Sequence, residues 1–125
     1  MLPLSRGKSS IQRITSVYSD LFKDKYGFYP TINYGKTGKL IQSMTDNHSE
    51  LQIAAMLIVF FDWAGMDGGD EFTREKIINA AHSFGWFYST TNQYEIYLRN
   101  VFKLEFDDEE KVREFVGKTL ISLKK

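Results

Sequence analysis

Apolar residues recur three and four positions apart along most of this chain, the signature of helices with one buried stripe. In the first such segment Ile11, Ile14, Val17 or Tyr18, Leu21 and Phe22 share a stripe. Ser9 or Ser10 offers an N-cap oxygen there, and Gly27 supplies a stop. A short helix over about Lys36 to Met44 follows, with Leu40, Ile41 and Met44 on one side. The Asp46–Glu50 turn reads as the next helix start, with Asn47 as N-cap and Glu50 closing a capping box. From Ser49 to about Trp63 the pattern changes, because Leu51 and Ile53 to Phe61 leave almost no polar side. A helix without a polar face belongs at the centre of a bundle.

Gly65 to Asp70 breaks that helix, and Arg74 to Ser83 predicts another, with Thr73 as cap and Ile77, Ile78, Ala80 and Ala81 inward. Beyond Gly85, Trp86 to about Phe102 is one amphipathic stretch carrying Phe87, Tyr94, Ile96, Tyr97, Leu98 and Val101. The last helix carries Val112, Phe115, Val116, Leu120 and Leu123, with acids from Asp107 to Glu110 at its start and lysines at its end. Leu104–Glu105–Phe106 resembles a short strand but has no second strand to pair with. The pattern therefore predicts an all-α fold. It is a compact single-domain bundle, residues 1–125, of five to six helices around a central helix at about Ser49–Trp63, with residues 1–9 as a flexible basic arm.

Composition narrows the chemistry. With 42% hydrophobic and 26% charged residues in 125, the chain is an ordinary globule able to bury a core without a metal or disulfide. It has no cysteine, which removes disulfide frameworks and thiolate chemistry together. Met1–Leu4 is too short for a signal-peptide core, and the longest apolar run is well below the ~18 residues of a membrane span. A cytoplasmic protein is expected, with no membrane among its partners and no cofactor. Charge is zero overall but unevenly placed: up to Asn47 there are seven basic residues against three acidic, and beyond it nine against thirteen. That asymmetry marks the first part as a candidate face for an anionic partner.

The densest cluster of unusual residues is Tyr26–Leu40, with four rings, three glycines, Pro30 and two lysines. Gly35–Lys36–Thr37 imitates the end of a phosphate-binding loop. That loop requires glycine where this chain has Pro30, and a buried strand before it. The segment reads instead as a turn into a helix, with Gly35 and Gly38 relieving strain and Lys36 and Lys39 exposed. Asp62, Asp67, Asp70 and Glu71 fail the calcium-loop spacing, since the twelfth position from Asp62 is Thr73 and from Asp67 is Ile78. His48 and His82 lack a second histidine at metal-ligand spacing, and His82 fits a helix end.

Two groups of rings interleaved with cations remain. Tyr29 and Tyr34 lie beside Lys23, Lys25, Lys36 and Lys39, with Arg13 on the helix before them. Trp86, Tyr88 and Tyr94 lie near Arg99 and form a second candidate surface. Such mixtures suit single-stranded nucleic acid, in which bases stack on rings and lysines neutralise phosphates. The same rings could equally close the core of a small domain.

The run Tyr18, Lys23, Tyr26–Gly27, Pro30, Ile32, Gly35–Lys36, Gly38–Lys39–Leu40–Ile41, then Phe60–Phe61, His82–Gly85, Phe87 and Asn92 is similar to a small helical module of bacteriophage and prophage DNA replication proteins, the replisome-organiser and helicase-loader-associated group. The resemblance spans Tyr18 to Asn92. It implies a non-enzymatic phage accessory protein of DNA replication or transcription. Such a protein acts in the host cytoplasm, binding nucleic acid or a replication partner through its basic aromatic face. The alternative it leaves open is a host-takeover protein that binds and redirects a host enzyme such as RNA polymerase, a helicase or a defence nuclease.

Overall fold

The computed structural model describes residues 9–30, 32–66 and 84–123, and every element in them is helical. In chain order these are α1 (Ser10–Tyr26), α2 (Tyr34–Thr45), α3 (Glu50–Met66), α4 (Phe84–Ser89), α5 (Thr91–Asn100) and α6 (Glu109–Leu123). The expected all-α bundle is the fold observed. The helix expected at Arg74–Ser83 and the basic arm lie outside the described residues, apart from Ser9 at the end of the arm.

Local chemistry sets the ends. Ser9 caps α1 by accepting from the Gln12 amide at 3.2 Å, and Gly27 ends it at φ 85°, its N–H donating to the Lys23 carbonyl at 2.8 Å. α2 begins earlier than the periodicity indicates because Asn33 caps it, Oδ1 accepting from the Lys36 amide at 3.1 Å. Gly35 and Gly38 therefore lie inside a helix, and neither takes a positive φ. The expected strain relief is replaced by close packing, since a Cβ on Gly38 would stand 3.7 Å from Ile11 Cγ2.

The capping box of α3 is also shifted. Ser49 and Gln52 form it, each backbone N–H donating to the other's side chain at 3.0 and 3.1 Å, in place of Asn47 and Glu50. Glu50 is drawn away by α1, where Ser10 and Arg13 both donate to it. The stretch expected from Trp86 to Phe102 divides at Thr90, whose hydroxyl meets the Tyr94 hydroxyl at 2.6 Å. Leu104–Phe106 is loop and not strand. Asp108 then caps α6, accepting from the Glu110 amide at 3.1 Å and the Lys111 amide at 3.4 Å.

The centre is α3, buried from Ile53 to Phe61 as its sequence requires. It packs against α1, α5 and α6, while α2 packs on α1 and α4. The first turns of α1 and α3 meet through Glu50, and farther along Tyr18 and Phe22 meet Phe61 at ring separations of 5.8 and 6.3 Å. The two helices therefore run in the same direction, with α2 returning between them. Phe60, Phe87 and Tyr94 form a ring cluster at 5.3–5.8 Å on the other flank. Each fully buried ring of this kind contributes about 1.5–3 kcal/mol through burial. No helix among the described residues is long and apolar enough to cross a membrane.

Candidate nucleic-acid interface

Gly27 in the left-handed region reverses the chain at the end of α1, a conformation a Cβ disfavours. The rings that follow then take different positions. Tyr26 is half-buried, its ring 4.7 Å from Phe22, and burial pushes its hydroxyl up to about 12. Phe28 leans on Phe22 and Tyr26 but stays 58% exposed. Tyr29 and Tyr34 are 54% and 68% exposed. Pro30 lies between them and holds the segment away from helical geometry.

This segment and α1 enclose a groove of about 500 Å³. Tyr29, Pro30, Ile32 and Tyr34 form one wall. The other is a stripe of α1, Gln12, Ser16 and Ser19, four and three residues apart, with Ile11 and Thr15 beside it. No charged side chain lines the groove. Charge stands at its edge instead: the Lys23 ammonium is 4.5 Å above the centroid of the Tyr29 ring, a cation–π contact. Lys36 and Lys39, three residues apart on α2, are exposed, and like Lys25 they pair with no carboxylate among the described residues.

Arg13 does not belong to this face. Its Nε and Nη2 donate to Glu50 at 2.9 and 2.6 Å, so its charge is neutralised within the fold. Those bonds hold the Glu50 carboxyl below its usual range despite partial burial, with Ser10 adding a further bond.

The second candidate surface is not assembled as expected. Tyr94 is buried at 3% exposure, stacked on Phe87 and packed against Phe60, because its spacing from Leu98 puts both on the inner stripe of α5. Arg99 is held by carboxylates, with Nε 3.1 Å from Glu95 and both terminal nitrogens 3.1 Å from Asp107. Its guanidinium also covers Phe106 at 5.0 Å. Tyr88 is at the surface, its hydroxyl 3.1 Å from that of Ser43. The Trp86 side chain lies outside the described residues. Ile96, Val101 and Phe102, by contrast, are 50–59% exposed, although the periodicity placed the first and second inward. The signal was present in the spacing, since Ile96 falls two residues from both Tyr94 and Leu98 and so faces away from their stripe.

His48 closes a separate network. Its Nε2 is 2.9 Å from Glu95, and its ring meets Phe106 edge-on at 6.1 Å. Burial works against the Glu95 charge, but the bonds from His48 and Arg99 outweigh it and hold that carboxyl low. Among the described residues no three His, Asp or Glu side chains gather as a metal site. No family model, curated protein or solved structure matches the chain significantly.

Proposed function

We propose that this protein is a non-enzymatic accessory factor of phage DNA replication or transcription that binds single-stranded nucleic acid through the α1–α2 face. One observation carries the reading: Tyr29 and Tyr34 are more than half exposed beside Lys36 and Lys39, which have no carboxylate partner among the described residues. Exposed rings give bases a stacking surface, and unpaired lysines give phosphates a counter-charge. The phage setting rests on the sequence resemblance alone.

The test is fluorescence anisotropy with a labelled oligothymidine at several salt concentrations. Affinity is expected to fall steeply with salt, and changing Lys36 and Lys39 to Glu abolishes binding or lowers the salt slope by about 1.4, at ~0.7 per phosphate contact. Absent or salt-insensitive binding overturns the proposal.

The exposed patch of Ile96, Val101 and Phe102 favours a second reading, in which a host or replication protein docks on the α5 side. A complex recovered from host lysate after nuclease treatment, and lost on Phe102→Ser, supports that reading. Recovery unchanged by Phe102→Ser counts against it.

A further inference from the structure

The groove between α1 and the Tyr29–Tyr34 segment differs from the lysines around it in one respect: its lining is neutral. A phosphate in such a groove would lie against hydroxyls and rings with no counter-charge. A nucleobase finds there what it needs, ring faces for stacking and neutral groups for its edge. From this division we infer that the groove is a slot for unpaired bases, entered base-first, with the sugar–phosphate chain left outside among Lys23, Lys36 and Lys39. The inference rests on the nucleic-acid reading and adds to it where the bases go.

Three features shape the slot. The Lys23 ammonium lies over one face of Tyr29, so that ring offers a base only its other face. Tyr34, at 68% exposure, forms the far end. The volume, about 500 Å³, lies within the ~300–1,000 Å³ of small-molecule sites and admits a nucleoside or a dinucleotide step but not a duplex. A duplex also keeps its base faces inside its own stack, so the slot discriminates against paired strands.

The α1 wall determines how selective the slot is for particular bases. The Ser19 hydroxyl makes no hydrogen bond among the described residues, and a hydroxyl donates or accepts as its neighbour requires. Bases of either edge pattern are therefore accepted, and sequence preference is weak.

An oligothymidine carrying a single 2-aminopurine reports directly, because that base loses fluorescence when it stacks on a ring. Wild-type protein quenches it, and a hairpin duplex carrying the same base is not quenched. Ser19→Leu fills the groove without changing charge, on an exposed helical stripe that tolerates leucine. Tyr34→Ala removes one wall at a position exposed enough to leave the fold intact, with circular dichroism as the check. Each variant is expected to lose the quenching and to weaken binding roughly 5- to 150-fold, the equivalent of ~1–3 kcal/mol per stacked base.

If both variants bind with wild-type affinity while Lys36→Glu with Lys39→Glu still abolishes binding, the strand passes elsewhere on the basic face. The inference then fails and the nucleic-acid reading stands. If wild-type protein binds no oligonucleotide, both fail. If a proline-rich peptide, and not the oligonucleotide, binds in a Ser19-dependent way, the groove is a peptide site and the inference is overturned.

Discussion

Two stretches of this chain mix rings with cations, and they fold to opposite ends. Around Tyr29 and Tyr34 the rings face outward and the lysines beside them lack carboxylate partners among the described residues. Around Tyr94 and Arg99 the ring is buried, and the guanidinium is held by Glu95 and Asp107 while it covers Phe106. The difference lies in backbone and neighbours more than in composition. Tyr94 sits on a helix whose period delivers it to the core. Tyr29 sits in a segment that Gly27 and Pro30 keep out of helical geometry, so no period carries it inward. Arg99 has an acid on its own helix four residues before it and another in the following loop. Lys36 and Lys39 share a helix that contains no acid at all. Rings with cations therefore become a surface only where helical spacing and local acids both fail to claim them.

The sharpest way to break this comparison is to truncate a ring on each side. Tyr94→Ala is expected to lower stability by about 3–5 kcal/mol in urea denaturation, as for other buried aromatics, and Tyr34→Ala by less than about 0.5 kcal/mol. Equal losses would erase the distinction drawn here. Next in size is the turn that launches the exposed segment. Gly27→Ala forces a Cβ into φ 85° and is expected to cost about 1–2 kcal/mol, with nothing else crowding the site.

Acid titration then separates how the two sides treat their cations. Glu50 and Glu95 both have carboxyl groups held below the ordinary value of 4.5 in the folded state. The stability they contribute is complete above that value and is lost as pH falls through the lower folded one. Glu50→Gln and Glu95→Gln should each flatten the pH dependence of the melting temperature below about pH 4.5. A variant whose profile stays parallel to wild type shows that its ion pair contributes nothing. The smallest effect belongs to Gly38. Its Cβ site is in ordinary contact with Ile11, so Gly38→Ala is expected to be neutral or to raise stability by up to about 1 kcal/mol. A loss beyond that would show that α1 and α2 pack more tightly than their geometry states.

Much of this architecture was legible in the sequence. The apolar run at the centre of α3 admits no other place than the middle of a bundle, and Gly27 and Ser9 mark the ends of α1 as their chemistry requires. What the sequence hid were choices between equivalent local partners. Asn47 and Glu50 have the right spacing for a capping box, but Glu50 is claimed by Arg13, distant in sequence, and the box passes to Ser49 and Gln52. The same long-range pair removes Arg13 from the face to which its charge seemed to assign it. For the candidate site, the exposed rings and lysines were readable from the segment's glycine and proline. The neutral stripe opposite them was not, because Gln12, Ser16 and Ser19 look like any solvated helix face until the chain folds back over them.

One consequence follows from α1 and α3 running side by side in the same direction. Their first turns lie together, so the partial positive charges of two helix dipoles meet at one end of the bundle, where a single anion can compensate both. Glu50 is that anion, first residue of α3 and acceptor for Ser10 in the first turn of α1. It therefore acts less as half of an ion pair than as an electrostatic keystone between parallel helices, and Glu50→Lys would set a cation against two like ends at once.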